Sequence, residues 1–133
     1  MSKPREGWWS YAKWMLRKYP ERIRELEELR ARGPGEHTGG KPQGGKPRPT
    51  ENMALRELPA SRQRELDAVR IAMDAQSLRS NGELRRELVR LVYWEQSHTL
   101  SGAAMRLHIS YDTARQWNKE IIYSVGRAAG LMN

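Results

Sequence analysis

Residues 98–125, His-Thr-Leu-Ser-Gly-Ala-Ala-Met-Arg-Leu-His-Ile-Ser-Tyr-Asp-Thr-Ala-Arg-Gln-Trp-Asn-Lys-Glu-Ile-Ile-Tyr-Ser-Val, decide the fold. Their pattern predicts a helix-turn-helix: a short helix over 101–107, a tight turn at His108–Ser110 and a longer helix over 111–127. Gly102, Ala103 and Ala104 supply the small side chains where a second helix crosses at a steep angle, and Leu107 is the other inner contact. His108 occupies the turn position that needs a left-handed backbone, which His tolerates better than most residues. Ile109 plugs the corner and Ser110 caps the second helix. Ala114, Trp117, Ile121 and Val125 then recur at helical spacing and face inward.

Opposite that inner stripe lie Asp112, Arg115, Gln116, Lys119 and Tyr123, with Ser110 and Tyr111 at the helix start. Arg and Gln make bidentate contacts to guanine and adenine edges in a major groove. Lys119 reads as a phosphate contact. Ser110 and Tyr111 are placed to meet phosphate or a thymine methyl. Asp112 repels phosphate, so it either accepts from a cytosine amino group or, as preferred here, stabilises the helix N-terminus. A helical hairpin with a polar outer face produces much of the same pattern, and a helix-turn-helix also serves protein binding.

The rest of the chain supports an all-α reading. Nothing alternates with period two over a useful length, so no sheet is expected. Residues 33–49 are nearly all Gly, Pro and polar residues and read as a flexible, disordered linker. It separates an N-terminal helical arm, 1–32, from a helical DNA-binding domain, 50–133, with the helix-turn-helix at 101–127. The expected architecture is a small helical bundle ending in a helix-turn-helix, with the N-terminal arm on the linker. In the second part Thr50 caps a helix over 51–58 that Pro59 breaks. Ser61 caps the next, about 62–78, with Leu66, Val69, Met73 and Gln76 inward. Asn81-Gly82 marks a turn. The helix after it, about 83–97, carries Leu84, Leu88, Val89, Leu91, Val92, Tyr93 and Trp94 around most of its cylinder and is expected at the bundle centre.

In the arm, Trp8, Tyr11, Ala12, Met15, Leu16 and Tyr19 form one helical stripe, with Lys13, Arg17 and Lys18 off it. Pro20 is expected to interrupt this helix, because it lacks an N–H and crowds the preceding turn. A second helix with Ile23, Leu26 and Leu29 follows and is expected to end at Gly33-Pro34. The arm's aromatics, Trp8, Trp9, Tyr11 and Trp14 foremost, have three possible uses: packing on the bundle, docking to a partner such as a polymerase, or tracking DNA with the neighbouring cations.

Lys and Arg number 24 against 16 Asp and Glu, a net charge of +8 that points to a polyanionic partner, nucleic acid before membrane. The arm carries nine basic and five acidic residues, so the densest excess lies outside the helix-turn-helix half. The absence of Cys removes disulfide and thiolate chemistry and suits a reducing cytoplasm. No apolar run reaches the about 20 residues of a membrane span, and the N-terminus lacks the apolar core of a signal peptide. The three histidines, His37, His98 and His108, do not form a metal-ligand pattern. With no nucleophile–base constellation and no phosphate-cradling glycine motif, neither an enzyme nor a cofactor is expected.

Several segments together carry a family resemblance. They are Gly7-Trp8-Trp9-Ser10-Tyr11 with Tyr19-Pro20; Arg48-Pro49-Thr50-Glu51-Asn52 with Arg56-Glu57-Leu58-Pro59; and Ser97-His98-Thr99-Leu100-Ser101-Gly102-Ala103-Ala104 with Ser110-Tyr111, Thr113-Ala114, Trp117 and Gly130-Leu131-Met132. The chain resembles the phage late transcriptional regulators of the RinA/ArpU type, themselves similar to sigma factors in their C-terminal DNA-binding region. The resemblance implies a phage-encoded activator of late packaging and morphogenesis genes. Such a protein binds promoter double-stranded DNA and engages host RNA polymerase in the cytoplasm of the bacterial host, as a monomer or homodimer. It also implies a recognition helix over Ser110–Lys119. The competing class is a phage DNA-packaging component of the small-terminase kind, which combines a helix-turn-helix with a ring-forming part. The lack of a long heptad helix favours the regulator.

Overall fold

Residues 7–36 and 58–132 are described by a computed structural model, and every regular element among them is helical. Helix α1 spans Gly7–Glu36 and α2 spans Ala60–Ser77. Helix α3, Gly82–Val89, runs on into a π-helical turn, Arg90–Trp94. Helices α4, Leu100–Leu107, and α5, Tyr111–Ala128, complete the bundle.

Pro20 does not interrupt α1, contrary to the sequence expectation. A proline inside a helix removes the hydrogen bond to the carbonyl four residues back, here that of Leu16. That carbonyl is not left empty. The Trp94 indole Nε1–H donates to it at 3.0 Å, and the Trp94 ring stacks on Tyr19 with centroids 5.5 Å apart. An external donor thus replaces the missing internal one, and the helix runs through. Nor does α1 stop at Gly33-Pro34; it reaches Glu36. The fixed φ of proline is a helical one, so a terminal turn accommodates it with the loss of one bond. Residues 37–49 of the expected linker, the Thr50 cap and positions 51–57 of the helix expected after it lie outside the described residues.

The N-terminal helix is a wall of the core. Trp9, Ala12, Met15 and Leu16 are buried in one cluster with Val69, Met73, Leu88, Leu91, Ile121 and Ile122. Tyr11, expected on the inner stripe, instead stays 39 % exposed while Trp9 is buried. Farther along α1, Leu26 joins Leu58 and Leu66 in a second cluster, against which Tyr19, Ile23 and Leu29 pack.

Helix α2 buries Leu66, Val69, Met73 and Gln76, the stripe its periodicity predicts. It begins at Ala60 with Pro59 before it, so Ser61 lies in the first turn and is not the cap. The extended backbone of Pro59, φ −52° and ψ 150°, sets the entry angle. At the α2–α3 corner Asn81 adopts the left-handed conformation, φ 60°. A Cβ on Gly82 would sit 2.1 Å from the Ser77 carbonyl oxygen, so only glycine allows so tight a return. The periodicity predicts one continuous helix over about 83–97. The observed helix widens at Arg90, where the Glu95 N–H reaches the Arg90 carbonyl at 2.7 Å, and ends before Gln96, φ 53°. Its residues Leu88, Val89, Leu91 and Tyr93 are buried, and Leu84, Val92 and Trp94 pack against the same core. The most extensively packed element, however, is α5, not this helix as the sequence suggested.

The Leu16–Trp94 bond has a distinctive thermodynamic signature. Trp94→Phe keeps an aromatic ring but strands a carbonyl, and should cost about 1–3 kcal/mol in urea unfolding. In a Pro20→Ala background the restored backbone N–H can satisfy Leu16, so the same change should cost markedly less. Equal costs in the two backgrounds would refute this account of the unbroken helix.

Candidate nucleic-acid interface

The α4–turn–α5 unit is built from local signals. Thr99 precedes α4 in extended conformation and its side chain accepts from the Gly102 N–H at 3.0 Å. His108 ends α4 in the left-handed region, φ 60° and ψ 42°, as the turn requires. Ser110 then caps α5, its Oγ accepting from the Thr113 N–H at 3.0 Å. Ala103 and Ala104 are buried at the crossing with α5. Gly102, expected beside them, instead lies over the Thr99 cap and His98, because the helix rotates it off the contact face. Ala114, Trp117, Ile121 and Val125 are buried on α5 as expected, and so are Ile122 and Gly126.

Gly126 is buried because α1 packs on the C-terminal half of α5, which helical periodicity within α5 does not reveal. The Trp8 ring lies so close that a Cβ on Gly126 would fall 2.6 Å from it. Tyr123 belongs to the same seam, with ring centroids 5.4 Å from Trp8 and 5.5 Å from Trp9. It is 37 % exposed but turned to α1, not aligned with the outer residues of the first half of α5.

Those outer residues are where the sequence put them. Ser110, Tyr111, Asp112, Arg115, Gln116 and Lys119 are all exposed. The Ser110 hydroxyl is already engaged, since it also donates to Thr113 Oγ1 at 2.9 Å. Asp112 sits in the first turn of α5, where a negative charge complements the helix dipole. The Arg115 guanidinium lies 5.8 Å over the Tyr111 ring. Neither Arg115 nor Lys119 has an ion pair among the described residues, whereas Arg22, Arg62, Arg70, Arg79, Arg85 and Arg90 all do.

A cleft of about 370 Å³ opens along this face. Arg115, Asn118 and Lys119 of α5 line one side, and Trp9 and Lys13 of α1 the other. From the sequence Lys13 is one of the arm's cations that could track DNA; being off the apolar stripe marks it as outward-facing, but nothing local says that it faces α5. Asn118 is the residue that sequence reasoning left out of the site. The Tyr93 hydroxyl donates to Asn118 Oδ1 at 2.5 Å. Burial pushes that hydroxyl up to about 12, so it stays protonated and remains the donor. The Asn118 amide thus spends its oxygen on Tyr93 and keeps its nitrogen, a donor, for the cleft. Lys13, Arg115, Lys119 and this amide supply donors for acceptor oxygens, with the Asp112 carboxylate as the one acidic group lining the same cleft.

The aromatics weighed for partner docking have intramolecular contacts. Trp9 is buried, and Trp8 packs edge-on against it at 5.7 Å. Tyr11 stacks on Trp14 at 5.9 Å and donates to the Glu65 carboxylate. Trp14 is covered by the Arg22 guanidinium at 5.3 Å and the Lys18 ammonium at 5.9 Å. Among the described residues no three His, Cys, Asp or Glu side chains are grouped to hold a metal ion, and no helix is long and apolar enough to cross a membrane. Comparison with protein-family models, with curated proteins and with solved structures returns no match.

The inner side of α5 predicts its own failure mode. Trp117 is 6 % exposed and lies beneath the Arg85 guanidinium, 4.9 Å from its ring centroid. Trp117→Ala should cost about 3–5 kcal/mol in chemical denaturation, the usual result of emptying a large aromatic site. An unchanged midpoint would contradict the assignment of this face to the core.

Proposed function

We propose that this protein is a sequence-specific DNA-binding transcriptional regulator that lays α5 in the major groove. The observation that carries the reading is the outer side of α5. Arg115 and Lys119 stand there exposed and, among the described residues, without ion pairs, next to Gln116, on a helix capped and turned like a recognition helix. Arg115 and Gln116 are the base-reading residues and Lys119 a phosphate contact. Lys13 adds a second phosphate contact from α1, across the cleft. Tyr123 is omitted from the contact set because the α1 tryptophans occupy its ring. The resemblance to late regulators of the RinA/ArpU type extends the reading to a phage-encoded activator of late genes that works with host RNA polymerase.

One observation supports a second reading. Ile71 on α2 and Leu78 at its C-terminal cap, 56 % and 88 % exposed, form an apolar pair suited to self-association. A small-terminase-like packaging component assembles into a ring, while a regulator is a monomer or dimer. Light scattering of the full chain separates the two.

The regulator reading is tested by selecting duplexes from a random library, footprinting the winner and titrating variants by fluorescence anisotropy. Arg115→Ala and Gln116→Ala should each cost about 1–3 kcal/mol at the selected site and relax base preference there. Lys119→Ala and Lys13→Ala should weaken all sequences alike and lower the slope of log K against log salt by about 1 each. If no variant changes binding to either selected or random DNA, the outer side of α5 is not the interface.

A further inference from the structure

We propose that Glu120 is a positioning residue for base reading. It holds the Gln116 amide so that one N–H and the carbonyl face outward together, the pattern complementary to the major-groove edge of adenine. This inference rests on the DNA-binding reading above.

The geometry is a chain from core to surface. Gln116 Nε2 donates to Glu120 Oε2 at 2.8 Å. The other carboxylate oxygen, Oε1, accepts from Arg85 Nη1 at 2.7 Å, and Arg79 approaches it at 3.9 Å. Arg85 is itself immobilised. It is 5 % exposed, its Nε donates to the Ser80 carbonyl at 3.0 Å, and Nη1 also reaches Gln76 Oε1 at 2.8 Å. Gln76 is fixed in turn through Nε2 to Ser124 Oγ at 2.9 Å. One end of the carboxylate is therefore anchored in the interior, and the other end is offered to Gln116.

The chemistry then decides which way the amide turns. The hydrogen bonds from Gln116 and Arg85 hold the Glu120 carboxyl below its ordinary value, so it is ionised. An ionised carboxylate only accepts, so Gln116 must present its nitrogen to it; the flipped amide would set oxygen against oxygen. The nitrogen has two hydrogens. Glu120 takes one, leaving one N–H and the carbonyl for a ligand. Adenine offers N7 as acceptor and N6–H as donor, which matches that pair, while guanine offers two acceptors and leaves the Gln116 carbonyl unmatched. Arg85 and Arg79 offset the negative charge that Glu120 would otherwise bring toward phosphate. A tethered glutamine also has fewer rotamers to lose on binding.

The test compares the duplex motifs selected from a random library by the full wild-type chain, Q116A, E120Q and E120D, with a thermal melt of each. The wild-type motif should contain an adenine that Q116A no longer requires. E120Q, which can turn either end of its amide to Gln116, should reduce the preference for adenine over guanine at that position roughly tenfold and leave the other positions intact. E120D keeps a charge beside Arg85 but is too short to hold both partners. It should lose the same position, and it decides the matter if E120Q does not fold. Wild-type preference at that base in a folded Glu120 variant, or uniform loss across the motif, overturns the inference alone. A wild-type chain that selects no motif overturns the DNA-binding reading as well.

Discussion

The carbonyl of Leu16 is the constraint on which the arrangement depends. Pro20 deprives it of a helical partner, and a buried carbonyl without a partner costs as much as a lost hydrogen bond. The Trp94 indole meets that need from another element, at 3.0 Å. One bond thereby keeps α1 continuous, pins it to the π-helical turn and fixes its register along the bundle. With α1 so placed, Trp8 and Trp9 reach Tyr123 on α5, and Lys13 comes to the edge of the cleft that Arg115 and Lys119 line.

Arg85 is the second organising group. A buried guanidinium is tolerated only with its donors engaged. Here it joins three helices: the Gln76 side chain on α2, its own position on α3, and Glu120 and the Trp117 ring on α5. Such a network stabilises little beyond what an apolar cluster would, but it admits few alternative registers. It also reaches the surface. The inner side of α5, which carries the fold, and the outer side, which carries the proposed function, share this ion pair through Glu120.

The parts of the site that were readable in the chain are those whose causes are local. The left-handed His108, the Ser110 cap and the inward Ala114, Trp117, Ile121 and Val125 all depend on a few neighbouring residues and on helical period. The exposed Arg115, Gln116 and Lys119 follow from that same period. The departures at Tyr123, Tyr11 and Pro20 trace to the packing of α1, whereas those at Ser61, Gly102 and Arg90 are local. Tyr123 has the spacing of an outer residue, yet a second helix crosses there. Tyr11 has the spacing of an inner residue, yet it turns to Glu65. Pro20 has the chemistry of a breaker, yet a residue 74 positions away supplies the missing donor.

The sequence by itself determined the all-helical character of the described residues, the turn between α4 and α5 and the division of α5 into an apolar and a polar side. These rest on backbone conformation and periodicity, which act over one or two turns. Only the tertiary structure decided that the N-terminal helix is unbroken and part of the core, that Lys13 and Asn118 border the cleft, and that Glu120 links Gln116 to Arg85. Each of these is a meeting of side chains distant along the chain. Such meetings follow from which polar groups need partners once the helices are packed, and no local pattern records the answer.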